Sequence, residues 1–433
     1  MSYLSWSVGI IVIVLLQNLK NIFHWYEALL AACYFGFPGR KLIVIGVTGT
    51  DGKTTTTHLI HHILKTAGLK SALISSVFAE IGGKQYDTGF HVTTPNAWAL
   101  QRFLAQSVAA GDKYLVLEVT SHGLDQNRVS WIDFFIGVIT NVTHEHLDYH
   151  KTYEHYLSTK AKLLKKAKIA IINRDDESFT FIDSRLRGND RKVSENDRKV
   201  TDYAIKNGKA DVTPQKFSFT TSLPGEYNQY NCLAAIATAL VLDVADKDIK
   251  KALINFSGVP GRFERISTKY GFEVIIDFAH TPNALAHVLP TVKAQTKGKL
   301  IHVFGCAAER DVAKRPLMGE ISAQYADFII LTEEDYRNES IDAINKQIAS
   351  GARKKGAIAL KLADYILDKK YRKPLLFQIP NRQDALNFAV SIAKRGDVIV
   401  TTGKAHEKSL CRGNVEYPWD EHKAIDVALR LKR

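Results

Sequence analysis

The sequence predicts an α/β fold, with a P-loop-containing central domain built on a mostly parallel sheet and a Rossmann-like C-terminal α/β domain. Short apolar runs recur along the 433 residues, and helix-like stretches separate them. This alternation is typical of parallel strands that are covered by helices on both faces. The runs are Leu42 to Val47, Tyr114 to Val119, Phe134 to Ile139, Ile169 to Ile172, Val274 to Ile276, Leu300 to Phe304, Phe328 to Leu331 and Val398 to Val400.

The first apolar run leads directly into a glycine-rich loop. The text GVTGTDGKTTTT, Gly46 to Thr57, has the order of strand, glycine loop and Gly-Lys-Thr that a nucleotide's phosphates require. Backbone N–H groups can turn inward around the phosphates, Lys53 supplies a charge to their oxygens, and Thr54 can place a hydroxyl on Mg²⁺. Five residues separate Gly46 from Gly52, one more than in a standard P-loop. The sequence therefore predicts a site for ATP or GTP.

Polar residues follow several of the apolar runs, at the point where each predicted strand ends. Ligands in open α/β sheets bind outside the carboxyl ends of the strands, so these residues are expected to face a shared cleft. They are Lys53; Glu118 with Ser121 and His122; Asn141 with His144 and His146; Asp277 with His280; and Lys404 with His406 and Glu407.

Length and composition limit the class of protein. A chain of 433 residues accommodates two ordinary domains, or three small ones. The four cysteines are scattered without a CxxC pair, which argues against a zinc ribbon or a disulfide scaffold and favours a reducing compartment. The net charge of +13 suits nucleic acid, a polyanionic small substrate or an anionic membrane surface. No interleaving of aromatic and basic residues favours nucleic acid.

Residues 1–40 are predicted to form a separate hydrophobic segment. The run Val8 to Leu16 is uninterrupted but shorter than the ~20 residues that span a bilayer, and a second apolar stretch runs from Ala28 to Phe37. Two interpretations stay open: an interfacial or membrane-anchoring helical hairpin, and a hydrophobic arm that packs on the rest of the protein. No basic region precedes the apolar run, so secretion is not expected.

Two further segments indicate the domain organisation. Residues 183–202 contain the repeated text NDRKV and are predicted to be a solvated insertion, with a basic docking patch as the alternative. The text SGVPGRFER, Ser257 to Arg265, has the Pro and Gly content of a hinge. We therefore expect an arm over 1–40, an ATP-binding domain over 41–257 and a C-terminal domain over 258–433.

Other motifs carry candidate chemistry. Glu118 ends an apolar run and is a candidate Mg²⁺ ligand, with a salt-bridged or capping glutamate as the alternative. His146 lies in the histidine-rich text TNVTHEHLDYH and is expected to bind magnesium or substrate rather than zinc, since no HExxH pattern is present. Arg310, Lys314 and Arg315 offer cations for a carboxylate or phosphoryl group. No GxSxG elbow or Cys and His pairing suggests an enzyme nucleophile, so chemistry is expected to pass directly between ATP and a substrate.

Nine motifs, taken in order from Leu42 to the C-terminus, resemble the Mur ligase family, closest to the members that add the third residue of the peptidoglycan stem peptide. The resemblance implies ATP-dependent amide synthesis on UDP-MurNAc-L-Ala-D-Glu. The D-glutamate side-chain carboxylate attacks the γ-phosphate, an acyl phosphate forms, and the amine of a diamino acid displaces phosphate. The extra residue in the glycine loop is normal in that family. The motifs are GVTGTDGKTTTT, HVTTPNAW, LEVTSHGLD, TNVTHEHLDYH, YNQYN, GRFER, DFAHTPNAL, ERDVAKRPLMG and GKAHE.

The resemblance also implies a role for each residue at a matching position. Lys160 is expected to be a carbamate, because a plain ammonium would repel Mg²⁺, and Lys162 is the fallback. The catalytic residues are then Lys53, Glu118, His146 and Lys160, and the metal ligands are Thr54, Glu118, His146 and Lys160. The nucleotide contacts are Gly49, Thr50, Asp51, Gly52, Lys53, Thr54, Thr55, Asn228, Arg262, Asp277 and His280. The muramoyl peptide is expected to meet Thr93, Thr94, Ser121 and His122, and the amino acid Arg310, Arg337, Lys404 and Glu407.

Two departures from the family pattern bear on the substrates. Only 45 residues precede Gly46, whereas the family normally has an N-terminal domain that grips the uridine nucleotide. The UDP end is then held differently, or the acceptor is not a UDP-linked sugar. The family's DNPR signature for meso-diaminopimelate reads EDYR here, Glu334 to Arg337. Arg337 is retained to meet a distal carboxylate, which favours diaminopimelate over lysine.

Several other functions stay open on the sequence. Folylpolyglutamate synthase shares the two-domain layout, although the SHGLD, HTPNAL and GKAHE texts argue against it. Ligases that build poly-γ-glutamate or cyanophycin are further alternatives, and a non-catalytic nucleotide-binding partner is a different class. The expected partners are small molecules and no nucleic acid, and the expected state is a cytoplasmic monomer. Contact of residues 1–38 with the inner face of the membrane is an open alternative.

Overall fold

The computed structural model describes residues 20–88, 93–143, 147–187, 199–309, 311–366, 369 and 371–432. The chain divides into two compact units. The first runs to Val142 and continues over Thr152–Ser257, and the second comprises Thr143–Lys151 and Gly258–Arg433.

The helices alternate with strands along most of the chain. Single-turn 3-10 helices cover Pro38–Lys41 and Leu362–Asp364. The α-helices are α1 (20–34), α2 (Lys53–Thr66), α3 (Ala97–Ala109), α4 (Ser121–Asp125), α5 (Leu147–His150), α6 (Tyr153–Lys166), α7 (Phe179–Arg187), α8 (Glu226–Val241), α9 (Asp246–Asn255), α10 (Pro282–Gln295), α11 (Lys314–Tyr325), α12 (Ile341–Lys354), α13 (Arg382–Ile392) and α14 (Glu421–Leu431).

The strands are short, as expected for buried parallel strands. They are β1 (Ile43–Thr48), β2 (Ser71–Ile74), β3 (Ala79–Ile81), β4 (Lys84–Tyr86), β5 (Tyr114–Glu118), β6 (Phe134–Ile139), β7 (Ile169–Asn173), β8 (Lys199–Tyr203), β9 (Glu264–Ser267), β10 (Glu273–Asp277), β11 (Leu300–Phe304), β12 (Phe328–Leu331), β13 (Ile358–Ala359), β14 (Leu375–Gln378), β15 (Val398–Thr402), β16 (Ser409–Arg412) and β17 (Val415–Pro418).

The first unit is built on an eight-stranded sheet in the order β4-β3-β2-β5-β1-β6-β7-β8. Its strands are parallel except at one edge, where β3 pairs antiparallel with both β2 and β4. The central strands are mostly apolar because helices cover both faces, and Val44, Ile45 and Val47 of β1 have no exposed surface. The carboxyl ends of β2, β5, β1 and β6 therefore lie side by side.

The second unit is built on a seven-stranded sheet in the order β13-β14-β12-β11-β15-β10-β9. Only β9, at one edge, runs antiparallel to its neighbour. A separate hairpin pairs β16 with β17. The carboxyl ends of β10, β15, β11 and β12 lie next to one another, so that residues following Asp277, Thr402, Phe304 and Leu331 come together.

The predicted fold class is confirmed. Each of the eight apolar runs is a parallel strand of one of the two large sheets, and solved structures with the same fold are described below. The sequence analysis missed β2 and β14, although SALI and LLFQ each contain three apolar residues, because runs this short are also found in helices and loops.

The ends of the segment predicted to be an insertion, residues 183–202, are regular structure. Residues 183–187 complete α7, and Lys199–Tyr203 forms β8, which pairs with β7 along its whole length. The prediction of a solvated loop was wrong for these ends because β8 completes the edge of the sheet. Val200 pairs with Ala170, and Thr201 and Asp202 are buried there. Residues 188–198 lie outside the described part of the chain.

The end of the N-terminal segment packs on the first unit. Ala28 and Ala31 of α1 form a small buried cluster with Ala97, and the rings of Trp25 and Trp131 lie 5.2 Å apart between centroids. Among the described residues, no helix is both long and apolar enough to cross a bilayer.

Candidate active site

The loop between β1 and α2 is shaped by the end of β6. The backbone N–H of Thr50 donates to the Asn141 carbonyl at 2.9 Å, and that of Asp51 donates to Asn141 Oδ1 at 2.9 Å. Thr140 Oγ1 donates to the Asp51 carbonyl at 2.6 Å. The neighbouring strand end therefore fixes the backbone of the glycine loop.

Two glycines of this loop cannot be replaced without moving their neighbours. Gly49 and Gly52 have φ values of +149° and +81°, in the region that favours glycine. A Cβ atom at Gly49 would lie 1.8 Å from Thr140 Oγ1, and one at Gly52 would lie 2.3 Å from Asn231 Oδ1. The sequence spacing, unusual for a P-loop, thus corresponds to a loop that is packed between β6 and α8.

Lys53 is the first residue of α2 and folds back over the loop. Its Nζ donates to the carbonyls of Gly49 at 3.0 Å and Thr50 at 2.8 Å. Gly52 precedes the helix and provides no side-chain cap, so the first N–H groups of α2 are not satisfied by a capping side chain. A helix N-terminus beside a lysine is a favourable place for a phosphate.

Thr54 and Glu118 are in direct contact. Thr54 Oγ1 donates to Glu118 Oε1 at 3.0 Å, and the backbone N–H of Ser76 donates to Glu118 Oε2 at 3.0 Å. Glu118 is buried at the end of β5, where its strand neighbour across the ladder is Val47. The hydroxyl of Thr54 and the carboxylate of Glu118 are oxygen ligands of the kind that Mg²⁺ prefers.

Lys160, on α6, reaches the same loop. Its Nζ donates to the Gly49 carbonyl at 2.6 Å and lies 4.4 Å from the centroid of the Tyr156 ring. The Tyr156 hydroxyl is 3.2 Å from Thr50 Oγ1. Both Lys160 and Tyr156 are buried. Lys162, by contrast, is half-exposed and pairs with Asp125 at 3.2 Å.

The TTP and SHGLD motifs are joined to each other. Thr94 Oγ1 donates to the Glu118 carbonyl at 3.2 Å and accepts from the backbone N–H of Thr120 at 3.0 Å. Arg128 Nη1 donates to the Thr94 carbonyl at 2.8 Å. Ser121 is buried and His122 is partly exposed at the start of α4, and Thr93 is partly exposed. The four residues predicted to meet the muramoyl peptide are therefore attached to the end of β5.

Asn228 lies on α8, one turn before a residue that contacts the loop. Asn228 Oδ1 accepts from Asn231 Nδ2 at 3.0 Å, and Asn231 Oδ1 accepts from Thr56 Oγ1 at 3.3 Å. Thr55 lies in the first turn of α2 and is partly exposed. Asn228 thus reaches α2 through Asn231.

In the second unit, Asp277 holds the backbone of two segments together. Its carboxylate accepts from the backbone N–H of Phe263 and of Ala279, both at 2.7 Å. Burial raises the pKa of Asp277, while the neighbouring Arg262 and the two backbone N–H groups act in the opposite direction. Arg262 lies over the Phe278 ring at 4.5 Å, and His280 Nδ1 is 2.9 Å from the Phe278 carbonyl. Arg262, Asp277 and His280 therefore surround one turn.

Lys404 is fully buried, and two carboxylates hold its ammonium. Its Nζ donates to Asp335 Oδ1 at 2.9 Å and to Glu407 Oε2 at 2.6 Å. Burial disfavours the charge on Lys404, but Glu407 and Asp335 more than compensate and raise its pKa. The family resemblance implied that Lys404 and Glu407 both line an amino acid pocket. In the structure Lys404 and Glu407 bond to each other. Asp335, the second residue of EDYR, lies between β12 and α12 and is the other carboxylate that binds Lys404.

The other residues of EDYR have different environments. Glu334 is buried, its Oε2 has no hydrogen-bond partner among the described residues, and burial together with Asp335 raises its pKa. Arg337 has a φ of +45°, and its backbone N–H donates to the Cys411 carbonyl at 3.2 Å. Its guanidinium makes no hydrogen bond to a described residue and is partly exposed. A buried carboxylate and an available guanidinium thus lie three residues apart.

Two predicted site residues, His146 and Arg310, lie outside the described residues. Within the described ranges, no group of three or more His, Cys, Asp or Glu side chains is arranged to hold a metal ion. Among the predicted metal ligands that lie in the described part of the chain, Glu118 is the one with a carboxylate.

Sequence reasoning missed several residues that shape this site. Ser76 follows β2, and its contact with Glu118 depends on β2 lying beside β5, which no local pattern indicates. Thr140 and Arg128 also contact the loop or the TTP motif through side chains. The signal available for Thr140 was its position beside Asn141 at the end of an apolar run.

Two protein-family models match the chain. The model of the Mur ligase middle domain matches residues 47–239, and the model of the Mur ligase glutamate ligase domain matches residues 261–405.

Individual proteins are similar over most of the chain. UDP-N-acetylmuramoyl-L-alanyl-D-glutamate--2,6-diaminopimelate ligase of Clostridium botulinum is 34% identical over 414 residues, which are 93% of this chain and 81% of that protein. A solved structure of a UDP-N-acetylmuramoyl-L-alanyl-D-glutamate--2,6-diaminopimelate ligase is 28% identical with a TM-score of 0.59, covering 90% of this chain and 78% of that one. Folylpolyglutamate synthase of Mycobacterium tuberculosis superposes with a TM-score of 0.66 over 88% of this chain and 93% of that one. At 16% identity that likeness shows the fold alone.

Replacing Lys53 by alanine is expected to abolish ATP hydrolysis, with kcat falling by at least about a hundredfold, because no other side chain folds back over the loop from the start of α2. Phosphate release by the purified protein measures this. Lys65→Ala is the matched control, since Lys65 ends the same helix and is half-exposed beside Glu80. Equal loss in both variants would show that the effect comes from the helix and not from the Lys53 charge.

Proposed function

We propose, since the chain belongs to the Mur ligase family, that it joins a diamino acid to the D-glutamate of UDP-MurNAc-L-Ala-D-Glu in peptidoglycan precursor synthesis, with ATP as the energy source. The amino acid is meso-diaminopimelate. The enzyme class is an ATP-dependent acid–amino acid ligase that forms ADP. Relatives that are 34–37% identical are named as ligases that add 2,6-diaminopimelate to the same acceptor.

The reaction is a direct transfer through an acyl phosphate. The D-glutamate carboxylate attacks the γ-phosphorus of ATP, and the bond to the bridging oxygen of ADP breaks. The unprotonated amine of the diamino acid then attacks the acyl carbon, phosphate leaves, and the amine proton passes to solvent or to a nearby base. No group of the protein becomes covalently attached.

One observation carries the proposal: Lys53, Thr54, Glu118 and Lys160 converge on the loop at Gly49. Lys53 and Lys160 both donate to the Gly49 carbonyl, and Thr54, which follows Lys53 in α2, donates to Glu118 at the end of β5. Gly49 and Gly52 let the loop pack closely against Thr140 and Asn231, directly before the N-terminus of α2, where a phosphate is favoured. Gly49, Thr50, Asp51, Gly52, Lys53, Thr54 and Thr55 are the residues proposed to hold the triphosphate.

Mg²⁺ fits the oxygens that this site presents. Thr54 and Glu118 would hold it, with His146 and a modified Lys160 as further ligands. When bound, Mg²⁺ neutralises charge that develops on the phosphoryl oxygens. Glu118 is buried and bonded to Thr54 and Ser76, so its carboxylate is positioned by the protein.

Lys160 is proposed to carry a carbamate. Its amine is buried beside the Gly49 carbonyl and the Tyr156 ring, on the same loop as the proposed phosphate site. Addition of CO₂ to the neutral amine gives an anion with two oxygens, which suits a metal better than an ammonium does.

The carbamate is expected to appear as a carbonyl signal in ¹³C NMR of the enzyme in ¹³C-bicarbonate. Lys160→Ala should lose both the signal and turnover, since a metal ligand is removed. Lys162→Ala is the matched control, because Lys162 lies two residues away and pairs with Asp125. Loss of the signal in Lys162→Ala alone would assign the modification to that residue instead.

The remaining contacts are proposed from the family pattern. Thr93, Thr94, Ser121 and His122 meet the muramoyl peptide, and Asn228, Arg262, Asp277 and His280 the nucleotide. Arg310, Arg337, Lys404 and Glu407 form the amino acid pocket, in which Lys404 acts by fixing Glu407. Domain roles follow: 41–257 binds ATP and the acceptor, and 258–433 binds the amino acid and adds contacts to the nucleotide.

Arg337→Ala is expected to raise KM for meso-diaminopimelate about tenfold to a hundredfold, because a charge-assisted contact with the distal carboxylate is lost. KM for ATP should stay within about twofold. Lysine lacks the distal carboxylate, so its weaker reaction should be unaffected by the substitution. Arg353→Ala, at an exposed position of α12, is the control. A parallel rise for ATP and diaminopimelate would exclude Arg337 as an amino acid contact.

Folylpolyglutamate synthase remains the alternative enzyme, supported by its superposition alone. We further propose that the protein is a cytoplasmic monomer that binds small molecules and no nucleic acid.

Purified protein is expected to release phosphate from ATP only when UDP-MurNAc-L-Ala-D-Glu and diaminopimelate are both present, because each half-reaction needs its acceptor. Coupled phosphate detection and mass spectrometry of the tripeptide product measure this. Equal stimulation by dihydrofolate with glutamate would favour the alternative enzyme. No turnover with any acceptor would favour a non-catalytic nucleotide-binding role.

A further inference from the structure

Helix α1 is apolar on two opposite faces. One face, with Ala28, Ala31 and Ala32, is buried against the first unit. The other face is open, and its large apolar residues are each more than half exposed. At about 100° per residue they fall within an arc of about 120° that contains no charged side chain. These open-face residues are Ile22, Phe23, Tyr26, Leu30 and Tyr34.

The open face continues onto a neighbouring helix. The rings of Tyr34 and Trp98 lie 5.8 Å apart between centroids, and Trp98, at the start of α3, is 40% exposed. The five open-face residues of α1 and Trp98 form one continuous apolar patch, whereas the exposed apolar residues of ordinary protein surfaces are scattered singly. Aromatic and aliphatic side chains on one side of a helix are the composition of interfacial membrane helices.

Charge around the patch favours an anionic surface. Among the first 50 residues Glu27 is the single acidic residue, whereas Lys20, Arg40 and Lys41 are basic. Glu27 lies beside the open face, and its carboxylate is 3.2 Å from His24 Nδ1. The apolar run Val8 to Leu16 precedes the helix in the sequence and is too short to span a bilayer. A self-associating face would not need this excess of cations.

We propose that the open face of α1, with Trp98, docks on the surface of an anionic phospholipid bilayer. The aromatic and aliphatic side chains enter the interface, and the flanking cations meet the lipid headgroups. The docking stands independently of the reaction that the protein catalyses.

The buried face of α1 connects this surface to the candidate site. Asn21 Nδ2 donates to Asp125 at 3.4 Å, and the Asn21 carbonyl accepts from Asn127 Nδ2 at 3.1 Å. Ala97 of the buried cluster directly follows the TTPN text. Helix α1 therefore rests on both segments that bear the proposed acceptor contacts. If the proposed function holds, docking brings the acceptor site next to the bilayer.

The full chain is expected to co-sediment with vesicles of phosphatidylcholine and phosphatidylglycerol, to bind pure phosphatidylcholine more weakly, and to be released by high salt. The double variant Tyr26→Glu, Leu30→Glu should bind at least about tenfold more weakly, because two charges enter the apolar arc. Ile254→Glu is the matched control, since Ile254 is equally exposed on α9 of the same unit. Circular dichroism and ATP turnover without vesicles verify that the variants are folded.

A second measurement uses the tryptophan fluorescence of the chain with the open face of α1 intact. Vesicles with brominated lipids should quench tryptophan fluorescence of the wild type more than that of Trp98→Phe. Unchanged binding of the double variant, together with equal quenching, would overturn the proposal and assign any binding to residues 8–16. A dimer in analytical ultracentrifugation that the double variant dissociates, without vesicle binding by the wild type, would assign the face to a second copy. Turnover with soluble substrates tests the proposed function separately.

Discussion

The hydrogen bond from Thr54 to Glu118 is the contact on which the rest of the candidate site depends. It exists because the register of β1 against β5 pairs Val47 with Glu118, which sets the end of β5 beside the start of α2. A shift of one residue would turn Glu118 to the opposite face of the sheet. Ser76 and Thr94 both bond to Glu118, through its carboxylate and its carbonyl respectively. The TTP motif and the first turn of α2 are therefore both joined to Glu118.

In the second unit, buried ion pairs hold the side chains that follow the strand ends. Arg382 and Glu421 are fully buried and paired at 2.7 Å, and Arg382 also donates to the Glu333 and Thr402 carbonyls. Breaking such a pair costs several kcal/mol, about 3–5, because a charge is left without a partner. Glu333, Asp335 and Lys404 are fixed by this network and its neighbours. Glu334 lies between Glu333 and Asp335 in the sequence, is buried, and its Oε2 has no hydrogen-bond partner among the described residues.

The sequence predicted the features that depend on local pattern. Parallel strands such as β1 and β11 are continuous apolar runs, and the loop at Gly49 is punctuated by glycines, so both could be located. The contact of Ser76 with Glu118 could not be, because it depends on which strand lies beside β5. Likewise, Asp335 and Lys404 are 69 positions apart, and only the neighbouring positions of β12, β11 and β15 bring their side chains together. The edge strand β8 was read as a loop because Lys199–Tyr203 contains only two apolar residues beside three polar ones.

The N-terminal helix shows how two interpretations of one segment can be compatible. The sequence left a membrane-associated segment and a packed arm as alternatives, because each explains an apolar stretch. Alanines form the buried face of α1, so the helix can pack closely on the rest of the first unit. Phe23, Tyr26 and Leu30 project from the opposite face. The small residues on one face allow α1 to pack on the first unit as the predicted arm. The large residues on the other face form the surface that we propose to contact lipid. Packing of α1 on the first unit is therefore no argument against contact with lipid.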